Sequence, residues 1–326
     1  MSESLQRPLV GVDLGGTNMQ IGVVSQAGVV MSRAKRKTEA LEGRDAVLER
    51  MMSGIQEACL GADVELSECA ALGIGAPGPI DPDEGVVLEA VNLGWERTPL
   101  ADIMREKTGL ATALDNDVNV AVYGEWVAGG ARGAKDVMGV WVGTGIGGAL
   151  ILNGAMHYGH YKTAGEIGHM LIFPDNPPGA RSFEHNCSRT ALCNRVRSMI
   201  EAGKESAVTG LVEGKLHKIK SRTLAEAYRL GDELVVEMIT DAAQRIGVQI
   251  AGLVTALSLE KVVLGGGLTE ALGEPWVAGI RTSVHQCVYP PACRSVEVVA
   301  SELEDNAGVV GAALIARDRV GAGATV

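Results

Sequence analysis

Aromatic side chains make up only 3% of this 326-residue chain, so its core has to rest on Val, Leu, Ile and Ala. No apolar stretch approaches the roughly 20 residues of a transmembrane helix, because Gly interrupts each one. The opening residues, Met1 to Arg7, carry no apolar signal core before the strand-like Pro8–Val12. A basic excess is also lacking. The formal net charge is −11, whereas nucleic acid and anionic membranes both call for a basic face. No G-x-x-x-x-G-K-[ST] occurs, which excludes P-loop chemistry. In so long a chain without a signal, the six cysteines (59, 69, 187, 193, 287 and 293) read better as reduced thiols than as a disulfide framework. Together these absences predict a cytoplasmic enzyme without a nucleic-acid or membrane partner. They do not exclude ATP, since backbone N–H groups and Mg²⁺ hold phosphates without net positive charge.

Glycine, in contrast, is abundant at 43 residues and clusters at particular turns. A buried run at Leu9–Asp13 leads into Asp13-Leu14-Gly15-Gly16-Thr17-Asn18, and a strand over Met19–Ser25 follows. About 130 residues later the pattern returns: a strand at Val137–Gly143, the turn Thr144-Gly145-Ile146-Gly147-Gly148, and a strand at Ala149–Asn153. Between and after these lie helical patterns over Arg44–Leu60, Pro99–Thr108, Val118–Val127, Ser188–Ala202, Thr223–Leu230, Asp232–Leu257 and Asn306–Arg317. A strand at Lys261–Leu264 ends in Gly265-Gly266-Gly267. Strands interleaved with helices predict an α/β fold. The length and the repeated turn predict two domains around a central cleft, 1–126 and 127–304, the first completed by a C-terminal helix near 305–320.

Gly143-Thr144-Gly145-Ile146-Gly147-Gly148 formally contains the dinucleotide fingerprint G-x-G-x-x-G. That fingerprint requires a helix after the glycines, and Ala149-Leu150-Ile151-Leu152 reads as a strand, which counts against an NAD-linked enzyme. A glycine hairpin between strands still brings backbone N–H groups and a Thr hydroxyl to phosphate oxygens; an ordinary turn is the plainer reading of either one alone. Asp13, at the end of a buried strand, needs a cation or donors to offset its desolvation. Mg²⁺ held through water fits, because this ion keeps several waters and takes few protein carboxylates.

Asp13-x-Gly-Gly-Thr17-Asn18 resembles the first phosphate motif of the actin-like sugar kinases, specifically the repressor–ORF–kinase (ROK) family. The resemblance continues in Leu114-Asp115-Asn116-Asp117-Val118-Asn119, Val142–Gly148 and Ala164-Gly165-Glu166-Ile167-Gly168-His169. It runs on through Glu184, Ser188–Leu192 and Leu264–Gly267, in family order over nearly the whole chain. It implies the actin-like ATPase (ribonuclease H-like) fold and transfer of phosphate from ATP to a free hexose. Asp117 takes the role of general base, with Asn92, Asn116, Asp117, Glu166, His169 and Glu184 around the sugar. The phosphates fall to Asp13, Gly15, Gly16, Thr17, Asn18, Gly143, Thr144 and Gly145, and the adenosine to Gly265, Gly266 and Gly267. A homodimer or homotetramer is expected.

One departure stands out. Family members carry a zinc cluster C-x-C-G-x-x-G-C-x-E after the histidine, and here its cysteine places fall on Asp175, Pro177 and Ser182. Structural zinc needs four nitrogen or sulfur ligands, so no structural zinc is expected there. His185, Cys187 and Cys193 stand nearby as the material for a substitute site, but the two cysteines read better as small apolar fillers. Pro177-Pro178 is expected to stiffen the loop instead. Glucose is the first choice of acceptor. N-acetylmannosamine, N-acetylglucosamine, mannose, fructose and allose are the alternatives, with a non-catalytic sugar-sensing regulator as the rival from another class.

Overall fold

The computed structural model describes residues 7–323, which form two compact units. One takes the chain as far as Gly133, the segment Met156–Ala164 and the stretch from Asp305 onward; the other takes Ala134–Ala155 and Gly165–Glu304.

In the first unit, β1 (Leu9–Leu14), β2 (Asn18–Val24) and β3 (Val30–Lys37) form a meander, followed by α1 (Arg44–Gly61) and β4 (Leu72–Ala76). A small three-stranded sheet of β5 (Ile80–Asp81), β6 (Val86–Ala90) and β7 (Trp95–Thr98) comes next, then α2 (Leu100–Thr108), β8 (Thr112–Asn116) and α3 (Asp117–Ala128). The main sheet has the order β3-β2-β1-β4-β8. Because β1 and β8 both run parallel to β4, the three strands end along one edge, which brings Asp13, Ala76 and Asn116 to the same end of the sheet. The C-terminal helix, Ala307–Gly323, begins within one residue of the expected start and lies on this sheet and on α3. It approaches to backbone contact. A Cβ at Gly11 would stand 2.0 Å from Val309 O, and one at Gly73 only 1.7 Å from Ala312 O, so both positions require glycine for space.

The second unit has β9 (Val137–Val142), β10 (Ile146–Leu152), β11 (Ala155–Met156), β12 (Lys261–Gly265) and β13 (Glu297–Ala300) in the order β11-β10-β9-β12-β13. Strands β9 and β10 are antiparallel and β9, β12 and β13 are parallel, so these four repeat the arrangement of β1, β2, β4 and β8. Its helices are α4 (Phe183–Cys187), α5 (Arg189–Glu201), α6 (Val208–Leu211), α7 (Ser221–Arg229), α8 (Glu233–Leu257), α9 (Gly267–Leu272) and α10 (Glu274–Cys287). Aliphatic side chains make the core, around the few fully buried aromatics Phe183 and Trp276. The glycines after β9 lead into strand β10, not a helix, which removes the dinucleotide reading. Among the described residues no helix is long and apolar enough to cross a membrane, and all six cysteines are free.

Candidate active site

In the first unit the site is built on the shared edge of β1, β4 and β8. The Gly15–Asn18 turn closes on itself, Gly15 N–H donating to Asn18 O at 3.0 Å. Buried Thr38 braces it, with Oγ1 donating to Gly15 O at 2.6 Å and its N–H to Thr17 O at 2.9 Å. Gly15 is therefore spent on the turn itself. Among the described residues, the N–H groups of Gly16 and Thr17 meet no protein acceptor and stay open for an anion. Asn92 packs beside the same turn, its Cβ 3.2 Å from where a side chain on Gly16 would begin.

Asn116 is the N-cap of α3, its Oδ1 accepting from Val118 N–H at 2.9 Å and Asn119 N–H at 3.2 Å. Its Nδ2 donates to Gly78 O at 3.1 Å, so the amide joins β8, α3 and the turn after β4 before it meets any ligand. Asp117 follows as the first residue of α3. Asp13 stands near enough to feel it. Burial, then the Asp117 carboxylate, then that of Asp305, push the Asp13 carboxyl up to about 7. Room for Asp13 comes from Gly308 in the C-terminal helix, where a Cβ would lie 2.6 Å from Oδ2. Carboxylates that repel one another beside a glycine turn are a setting whose repulsion a divalent cation would relieve. Among the described residues no three acidic, His or Cys groups are placed to ligate a metal directly.

In the second unit, Gly143–Gly145 turns β9 into β10, with Gly143 N–H donating to Gly145 O at 2.9 Å. Among the described residues the N–H groups of Thr144 and Gly145 are the ones left open. Glu184, in α4, accepts from Ile146 N–H at 2.9 Å and lies so close that a Cβ on Gly145 would be 2.0 Å from its Oε2. The loop carrying Glu166 and His169 packs on β10 through two glycines. A Cβ on Gly165 would be 2.4 Å from Gly148 O, and one on Gly168 2.1 Å from Ile146 O. Glu166 and His169 flank a 3-10 turn, Ile167–His169, with Oε2 and Nε2 3.8 Å apart. Gly265 and Gly266 end β12 beside β9. Gly265 sits under the Trp141 ring and Gly266 takes φ 88° against Val142, so this corner has no space for side chains. Gly267 opens α9.

The cysteine-less loop is held by hydrogen bonds. Asn176 and Asn186 both donate to Ala180 O, at 3.1 and 3.0 Å, and Asn186 also reaches Ser182 O at 2.8 Å. Ser182 Oγ caps α4 and meets His185 Nδ1 at 2.8 Å. Phe183 N–H donates to Met170 O at 2.8 Å, tying the loop to the stretch after His169. Cys187 and Cys193 are buried, and burial pushes the Cys187 thiol up to about 12. A groove of about 350 Å³ between this loop and α8, lined by Phe173, Asp241, Gln244, Arg245 and Val248, contains none of the expected site residues.

Three features escaped sequence reasoning. Thr38 and Gly308 lie far along the chain from the turn and the Asp13 carboxyl they serve, and nothing in their local pattern marks them. Asp115 is buried, with Oδ1 accepting from Asn116 N–H and Asn119 Nδ2, each at 2.8 Å. Its Oδ2 accepts from Tyr158 O–H at 2.6 Å and pairs with Arg319. The carboxylate thus fastens the residues on both sides of Asp117. A buried charge with four donors is a paired one, and the Leu114-Asp115-Asn116-Asp117 run gave only its position.

The sequence signature of the ROK family matches residues 9–319. The chain is 33% identical to a glucokinase of Thermotoga maritima, over 96% of its own length and 98% of that protein. It superimposes with a TM-score of 0.85 on a ROK family glucokinase from Streptomyces griseus in complex with glucose and AMPPNP, at 31% identity, covering 95% of this chain and 99% of that one. A ROK hexokinase from Thermus thermophilus gives 0.78 at 28% identity, covering 97% and 99%.

Proposed function

The chain belongs to the ROK family and has its actin-like ATPase fold, and from that premise we propose that it phosphorylates glucose to glucose 6-phosphate with ATP. The observation that carries this reading is the shared sheet edge. A glycine turn with open N–H groups, a carboxyl suited to a metal, and a carboxylate at a capped helix start all end parallel strands of one sheet. Ligands of α/β sheets bind at that end. The glucokinase relative and the glucose- and AMPPNP-bound glucokinase support the choice of substrates.

In this mechanism Asp117 accepts the proton of the sugar hydroxyl as it attacks the γ-phosphate. Asn116 caps the start of α3, and Asp117 Oδ1 accepts from Val118 N–H at 2.9 Å, which orients this carboxylate. Glu166, His169 and Glu184 orient the hydroxyls of the ring, each of which offers a donor and an acceptor. Gly16, Thr17, Thr144 and Gly145 donate to the phosphates, while Gly265, Gly266 and Gly267 lie against the adenosine. Asp13 would hold Mg²⁺ through water, and that ion supplies neutralisation of charge on the transferring phosphoryl group. Asp117→Asn is expected to lower kcat by about 10²-fold or more while nucleotide affinity stays at the wild-type value. Near-normal turnover would sink the assignment. A coupled assay of ADP release over glucose, mannose, fructose, allose and the N-acetylated amino sugars decides the acceptor.

A further inference from the structure

Arg189 has no part in the reaction as described, yet it is fastened to the second glycine turn. Its Nη2 donates to the Thr144 hydroxyl at 2.6 Å and its backbone N–H to Gly143 O at 3.0 Å. Among the described residues no carboxylate pairs with it, whereas Arg195, Arg229 and Arg245 in the same unit each lie against an acid. A guanidinium carries five N–H donors, and the Thr144 hydroxyl occupies one. The remaining donors, and a full positive charge, therefore stand beside the open N–H groups of Thr144 and Gly145. In a chain of net charge −11 and without a P-loop lysine, an unneutralised cation at this place has a use. A planar fork matches phosphate oxygens, and phosphoryl transfer gains most from fixed charge at the transferring group.

We propose that Arg189 is a nucleotide-binding residue whose guanidinium takes the terminal phosphates of the donor at the Thr144 turn. The role rests on reading that turn as a phosphate site, and it does not depend on which sugar accepts the phosphate. Thr144 then has two duties: its N–H faces the nucleotide and its hydroxyl aims the guanidinium. The nucleoside end gains nothing from this charge, so the effect must grow with the number of phosphates.

The test measures affinity for AMPPNP, ADP and AMP by calorimetry on the whole chain. Arg189→Gln keeps an N–H donor for Thr144 and removes the charge. It is expected to weaken AMPPNP binding by roughly 10- to 100-fold and to leave AMP unchanged. Arg189→Lys keeps the charge without the fork and is expected to lie between Arg189→Gln and wild type in the ratio of AMPPNP to AMP affinity. Wild-type AMPPNP binding by Arg189→Gln would overturn the proposal, and so would an equal loss for AMP, the mark of a collapsed turn. Should Arg189→Gln fail to fold, an unchanged ratio in Arg189→Lys overturns it. The binding series reads Arg189 even in a protein that phosphorylates no sugar, so failure of the acceptor reading is told apart.

Discussion

Lowering the pH from 8 to 6 is expected to weaken binding of the magnesium–nucleotide complex about tenfold through the Asp13 carboxyl alone. With Asp13 pushed up to about 7, chiefly by burial and then by Asp117 and Asp305, roughly a tenth of the molecules carry the carboxylate at pH 6 and nine-tenths at pH 8. A cation held by that carboxylate competes with the proton, so affinity follows the ionised fraction. The nucleotide titrates too, and Asp13→Asn supplies the control: it cannot ionise, so its shortfall against wild type should be about ten times larger at pH 8 than at pH 6. Calorimetry with AMPPNP and excess Mg²⁺ measures the gap. A gap of the same size at both pH values would refute the reasoning. Linkage gives a second readout, of opposite sense. The folded carboxyl binds its proton more tightly than the unfolded one, so the metal-free protein is favoured most below the ordinary value of 3.8 and loses that stability as pH rises through 7. The loss amounts to at most about 4 kcal/mol, and Asp13→Asn should remove the slope.

Gly145→Ala puts a Cβ 2.0 Å from Glu184 Oε2, so the carboxylate must leave Ile146 N–H; kcat/KM for glucose should fall on the order of 10²-fold in a coupled assay. Tyr158→Phe takes one donor from buried Asp115 and should cost roughly 1–3 kcal/mol, seen as a lower thermal midpoint. Burial and the Asp115 charge hold the Tyr158 hydroxyl well above its ordinary pKa, so that cost should be constant between pH 6 and 9. Gly73→Ala drives a methyl into Ala312 O of the C-terminal helix and should lower the denaturant midpoint by at least about 1–3 kcal/mol of stability. An unchanged midpoint would show that the helix has room to shift.

The parts legible in the sequence were those where local chemistry and global fold agree. The helix expected over Val118–Val127 is α3, and the strand after Gly145 follows from the apolar run Ala149–Leu152. That strand, however, starts at Ile146, so Gly147 and Gly148 lie in β10, where Gly148 serves the packing of the Gly165 loop. The β5–β7 sheet was not legible, because its strands are two to five residues long and set among Pro and Gly. Helices α9 and α10 hid behind the glycines after β12, Gly273 standing between them. In the site, residue identity was readable and hydrogen-bond allegiance was not. Gly15 reads like Gly16, yet only the fold reveals that one N–H is consumed by Asn18 O.

The glycines under the C-terminal helix also impose an order on synthesis. The sheet that carries Asp13 and Asn116 leaves the ribosome early, but the helix that covers Gly11 and Gly73 is made only after Glu304. Everything from Ala134 to Glu304 is translated in between, which takes on the order of ten seconds or more. Throughout that interval the nascent first unit presents a bare apolar face, shaped by its glycines to accept a backbone and nothing bulkier. Packing of the first unit is therefore complete only after the second unit has been made.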